Sequence, residues 1–115
     1  MKKDEMGLHE RPWGHEIRWA VNEKYLGKKL FIKAGHRLSL QKHEIKDETI
    51  FVLRGLLILE LEDKSVVLEP GDSYRIEPNT IHRFTAPSEG FVELIEVSTP
   101  EIDDVIRLED DYGRT

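Results

Sequence analysis

Turn signals recur along this chain at intervals too short for helices. Asn22-Glu23, Ala34-Gly35, Arg54-Gly55, Asp63-Lys64, Glu69-Pro70-Gly71-Asp72, Pro78-Asn79 and Pro87 to Gly90 punctuate it from end to end. Each uses residues with a mechanism: Gly opens positive φ, Pro fixes φ, and Asn tolerates the left-handed region. Between them lie short runs rich in Ile, Val, Leu and Phe. Residues 17–21, 28–33, 37–43, 48–53, 56–61, 65–68, 73–76, 82–85 and 91–97 therefore read as strands. Hardly any helical period is present. Many short strands at regular spacing predict an all-β sandwich or barrel. In the first of these strands Ile17, Trp19 and Val21 share one parity and are expected to form its buried face. The nearly continuous apolar run at 56–61 is expected to be buried on both sides. Residues 1–10 are polar and expected to be loosely held. Arg11-Pro12-Trp13-Gly14 is a compact break whose Trp plugs one end of a barrel or packs at an interface. The tail, 101–115, is expected to form an arm over the barrel or a short helix, anchored by Val105, Ile106 and Leu108. A chain of 115 residues fits one domain, 1–115.

Within this pattern one stretch, Gly35 to Gly55, concentrates metal-binding side chains. Gln41 and His43 are two apart, so on a strand they point to one face. Glu48 opens the next strand after the polar turn Glu44 to Asp47, and a hairpin would set it beside them. His82 starts a later strand and supplies a second imidazole. An amide oxygen, two imidazoles and a carboxylate form a set suited to a divalent transition metal, with zinc first and manganese, iron, cobalt or nickel also accommodated. A lone histidine on a strand is more often a hydrogen-bonded rim residue, and His9, His15 and His36 are read that way. With Ser39, Gln41 and His43 pointing inward, Leu38 and Leu40 would face outward and need apolar cover.

Composition narrows the function. There is no cysteine, which excludes disulfides and thiolate metal sites. The net charge of −6 argues against a nucleic-acid binder. No apolar run reaches the length of a membrane span, and the opening residues lack the apolar core of a secretory signal. A cytoplasmic location with no membrane partner is the expectation.

The spacing from Gly35 through Gln41, His43 and Glu48 to Gly55, followed by Gly71, Pro78 and His82, resembles the two motifs of the cupin superfamily. A narrower resemblance runs over nearly the whole chain. RPWG at Arg11 to Gly14, LSLQKH at Leu38 to His43, IEV at Ile95 to Val97 and VIRLEDDYGR at Val105 to Arg114 resemble type II mannose-6-phosphate isomerases. That family includes the C-terminal part of bifunctional mannose-1-phosphate guanylyltransferases. The resemblance implies a cupin jelly-roll barrel and one divalent metal held by Gln41, His43, Glu48 and His82. It also implies aldose–ketose isomerisation of a sugar phosphate, and a homodimer. Ile45, Lys46, Thr49 and Ile50 stand where the family usually has His, Arg, His and Trp. By that match Lys46 stabilises charge or transfers a proton; otherwise it is a solvated turn residue. Lys28, Arg107 and Arg114 fall on family positions and would hold the phosphate, or else form salt bridges to nearby acids. A binding module for a sugar or sugar phosphate, without catalysis, is the alternative function.

Overall fold

The computed structural model describes residues 5–114. Eleven strands form two antiparallel sheets packed as a jelly roll. The first sheet contains β1 (Gly7–Arg11), β2 (Gly14–Val21), β3 (Leu26–Ile32), β10 (Val92–Ser98), β5 (Glu48–Arg54) and β8 (Ser73–Ile76), in that order. The second runs β11 (Ile106–Glu109), β4 (Leu40–Lys42), β9 (His82–Thr85), β6 (Leu57–Leu61) and β7 (Ser65–Leu68). No α-helix occurs among the described residues, and none of their helices could cross a membrane.

The turn chemistry explains the closure. Asn22 Oδ1 accepts hydrogen bonds from the backbone N–H of Lys24 and Tyr25, folding β2 back onto β3. Asn79 adopts φ 66°, the left-handed conformation its turn requires. Gly55 has φ 80°, and a Cβ there would lie 2.2 Å from the Phe91 carbonyl oxygen.

Three expectations are corrected. Gly7–Arg11, within the stretch expected to be loose, forms β1 and pairs with β2 along its length; residues 1–4 lie outside the described residues. The tail takes the first of its two expected forms, an arm, whose strand β11 pairs with the open edge of β4. The 56–61 run alternates: Leu57 and Leu59 are fully buried while Ile58 is only half-buried and Leu56 is exposed. Leu38 lies in the core, because strand geometry begins only at Leu40.

The inward face of β2 is also opposite to the one expected. Trp19 is 50% exposed, whereas Glu16 is buried and Arg18 turns inward beside it. Hydrophobic parity fails here because the barrel interior is apolar only at one end. On β10 the inward residues run from Val92 and Leu94 to Glu96 and Ser98. On β5 they run from Val52 and Ile50 to Glu48. Trp13 is buried in the apolar end, the plug expected of it. The polar end is where chemistry-bearing side chains meet.

Candidate metal centre and cavity

Three strands, β4, β5 and β9, position the candidate ligands. Glu48 opens β5, His82 opens β9, and His43 follows β4 directly. Gln41 on β4 is the cross-strand partner of His82, so the two project to the same side. His43, Glu48 and His82 each offer a ligand atom, all within 4.8 Å of one another, and all three residues are buried. His43 Nε2 lies 3.4 Å and His82 Nε2 3.2 Å from Glu48 Oε1.

The opposite ring nitrogens fix this arrangement. His82 Nδ1 donates to the Thr80 carbonyl at 2.8 Å, and His43 Nδ1 to the Asp104 carbonyl at 2.5 Å. A carbonyl accepts only, so each ring carries a proton on Nδ1, which leaves Nε2 as the atom that can bind an ion. Among the described residues neither Glu48 oxygen, nor His82 Nε2, finds a hydrogen-bond partner, although all are fully buried. Buried polar atoms normally find partners, and leaving them unmade is costly. Two imidazole Nε2 atoms and a carboxylate aimed at one point, with backbone carbonyls orienting the rings, fit a divalent cation. Burial alone would raise the pKa of Glu48, and the Lys46 ammonium 3.6 Å from its Oε2 pulls it back down.

Lys46 is not a solvated turn residue. Its side chain is 3% exposed, with Nζ 3.0 Å from Glu96 Oε2 and 3.6 Å from Glu48 Oε2. Burial disfavours its charge, yet Glu96 and Glu48 together outweigh that and raise its pKa. Glu96 moves upward too, through burial and the nearby Glu48 charge, against the pull of Lys46. The backbone N–H groups of Glu44, Ile45 and Lys46 all donate to the Asp104 carboxylate. The tail therefore pins both the turn carrying Lys46 and the ring of His43.

These groups face a cavity of about 380 Å³, which Gln41, Lys28, Arg107 and Arg114 also line. Lys28 Nζ sits 3.3 Å from Glu16 Oε2, and Arg114 is paired with Asp110 at 2.9 Å, so the salt bridges expected of them are present. Arg107 lies across from Gln41 on β11. Of the four positions that differ from the family's usual run, Lys46 alone lines this cavity: Ile45 points to solvent, Ile50 is in the core and Thr49 is half-buried elsewhere.

Sequence reasoning missed Glu16, Arg18, Arg11, Glu96 and Asp104. Glu96 carried a signal, since it shares parity with Val92 and Leu94 on an alternating strand. Glu16 and Arg18 were hidden by the apolar residues on the other face of β2. Asp104 had no local signal, because its role depends on where the tail docks.

The model of the mannose-6-phosphate isomerase C-terminal family matches residues 2–110. The alginate biosynthesis protein AlgA of Pseudomonas aeruginosa is 35% identical over 108 residues, covering 91% of this chain and 22% of that protein. A mannose-1-phosphate guanylyltransferase of Sinorhizobium fredii is 31% identical, covering 88% of this chain and 20% of its own length. The chain thus spans about a fifth of the length of these curated relatives. Among solved structures, KdgF from a Halomonas species superposes with a TM-score of 0.76 at 23% identity, covering 90% of this chain and 95% of that one. An RmlC-like cupin from Shewanella frigidimarina gives the same TM-score at 18% identity, covering 90% and 92%. Its barrel shares the fold of these solved structures, and by the family match over residues 2–110 this chain belongs to the mannose-6-phosphate isomerase C-terminal family.

Proposed function

We propose that the chain is a metal-dependent sugar-phosphate isomerase of the aldose–ketose type, acting in the cytoplasm. The observation that carries this is the convergence of His43 Nε2 and His82 Nε2 on the Glu48 carboxylate, whose two oxygens find no hydrogen bond among the described residues, beside a charged cavity that His43 and Glu48 line. Gln41, opposite His82, is the fourth ligand. A divalent ion there, zinc in first place, would polarise a substrate carbonyl and stabilise negative charge as it develops.

The chain's own residues do the rest. Lys46, fixed between two carboxylates, is a permanent ammonium that places positive charge beside the ligands; this favours charge stabilisation over proton transfer as its role. Glu96 places a second carboxyl against Lys46, within the same cavity. Lys28, Arg107 and Arg114 supply cationic wall for the phosphate end of the substrate. The cavity volume suits a hexose phosphate, since small-ligand sites commonly occupy roughly 300–1,000 Å³.

The homodimer is proposed on a separate ground. The outer face of the six-stranded sheet exposes Leu8, Trp19, Phe51 and Val97, at 60, 50, 43 and 45%. Those side chains present roughly 400 Å² of apolar surface, the size at which such patches mark interaction sites.

The test of the enzyme reading is a coupled assay with mannose 6-phosphate across the candidate metals. Turnover that is lost in Glu48→Ala and His82→Ala supports the reading. Turnover that survives both substitutions together overturns it, and saturable binding without turnover assigns the chain to the binding-module alternative.

A further inference from the structure

We infer that Arg11, Arg18 and Lys28 form a clamp for a dianionic phosphate group, organised by the buried carboxylate of Glu16. This rests on the sugar-phosphate reading above and assigns which end of the cavity takes the phosphate.

Three cations converge on one acid. Arg11 Nε lies 3.2 Å from Glu16 Oε1, Arg18 Nε 3.0 Å from Oε2, and Lys28 Nζ 3.3 Å from Oε2. Arg18, Lys28 and Glu96 are successive cross-strand partners on β2, β3 and β10, so they form one row along the cavity wall. Glu16 is 7% exposed in its side chain. Its burial opposes ionisation, but Lys28, Arg11 and Arg18 lower its pKa to about 2. It is therefore a fixed anion at neutral pH. Glu96, next in the row, is answered by Lys46 at 3.0 Å, so one carboxylate against three cations leaves two positive charges in excess, in a chain whose net charge is −6. Surplus charge of one sign lining a partly buried cavity raises the local concentration of the opposite sign.

The hydrogen-bond geometry adds direction. Both arginines engage Glu16 through Nε, so that acid holds the guanidinium planes without consuming their terminal amino groups. Arg18 makes no hydrogen bond or ion pair through its terminal nitrogens among the described residues. Paired terminal N–H groups on a pre-set guanidinium match two oxygens of a phosphate, whereas Lys28 contributes a point charge. A neutral sugar hydroxyl would leave both surplus charges unmatched, and a uronate carboxylate would match one. A phosphate monoester, carrying close to two negative charges, matches both.

The experiment is titration of inorganic phosphate into the full chain after chelation of metal, followed by calorimetry or phosphorus NMR. Saturable binding at one site is expected, displaced by mannose 6-phosphate but not by mannose, and displaced at least tenfold less well by glucuronate. Arg18→Gln and Lys28→Met should each weaken phosphate at least tenfold, with Arg18→Lys in between. Circular dichroism checks that the variants are folded, and Arg18→Gln leaves Glu16 with Arg11 and Lys28. Absence of saturable binding overturns the clamp, as do unchanged affinities in the folded variants, or glucuronate competing as well as mannose 6-phosphate. Because the titration needs neither metal nor turnover, an inactive isomerase that still binds phosphate would sink the functional reading and leave the clamp standing.

Discussion

Replacing Lys46 by Met tests whether the cavity floor is held together by the charges described. The substitution removes a buried ammonium from between Glu96 and Glu48, at 3.0 and 3.6 Å. With an effective dielectric constant of about 20, each contact is worth about 5 kcal/mol of Coulomb energy before desolvation is charged against it. Breaking a buried ion pair by deleting one partner typically costs 3–5 kcal/mol, because the other charge stays buried. Glu96 can relieve part of that by taking up a proton, so a loss of about 3 kcal/mol is expected. That is a large share of a stability of roughly 5–15 kcal/mol. It should lower the melting temperature by about 12 °C in a domain of this size. The assay is urea unfolding with chelator present, on Lys46→Met, Glu96→Gln and the double variant. The double variant should recover at least 1 kcal/mol relative to additivity. A cost under 1 kcal/mol for Lys46→Met, or strictly additive effects, would refute the electrostatic account of this site.

Metal should stabilise the fold by linkage. At a hundredfold excess over its Kd an ion adds about 2.7 kcal/mol, close to 10 °C in melting temperature, and His43→Ala or His82→Ala should abolish the shift in calorimetry. Acid stability should depend on Glu16. Its folded pKa of about 2 lies below the ordinary carboxyl value of 4.5, so its contribution is complete above pH 4.5 and is lost as pH falls toward 2. That contribution is about 3 kcal/mol; Glu16→Gln should flatten the acid limb of a stability-versus-pH curve. Gly55→Ala combines a left-handed φ with a backbone overlap at Phe91, and should cost at least about 2 kcal/mol in urea unfolding. Sedimentation should report a dimer that Trp19→Asp and Phe51→Asp together convert to monomer, since both lie on the exposed sheet face; a native monomer would remove that proposal.

The sequence made the strands legible because turn residues act locally. Asn22, Asn79 and Gly55 dictate backbone conformation whatever surrounds them, so the segments between them could be read without tertiary knowledge. The candidate ligands were legible for a related reason. A two-residue offset and a hairpin fix relative direction, and Gln41, His43 and Glu48 need only that, with His82 added at the start of another strand. Facing was a different matter. Parity places a residue on one side or the other, but which side is interior was judged from hydrophobicity, and that judgement fails wherever the interior is a polar cavity. Ile17 and Trp19 pointed to the wrong face of β2 for this reason, and Glu16 and Arg18 were passed over.

The same failure identifies the site. A barrel that buried only apolar side chains would show consistent parity on every strand. Here β2, β5 and β10 each carry charged residues on the inward face at one end, and those ends coincide in space around the His–Glu–His cluster. Burying Glu16, Lys46, Glu48 and Glu96 together is unfavourable unless each finds a partner. Glu16 has its three cations and Lys46 its two carboxylates, so those local charges are answered within the chain. Among the described residues Glu48 retains two oxygens without a hydrogen bond, facing the imidazole Nε2 atoms. That residual mismatch is what a cation would resolve. It also explains why a fold with an ample apolar end keeps its other end charged.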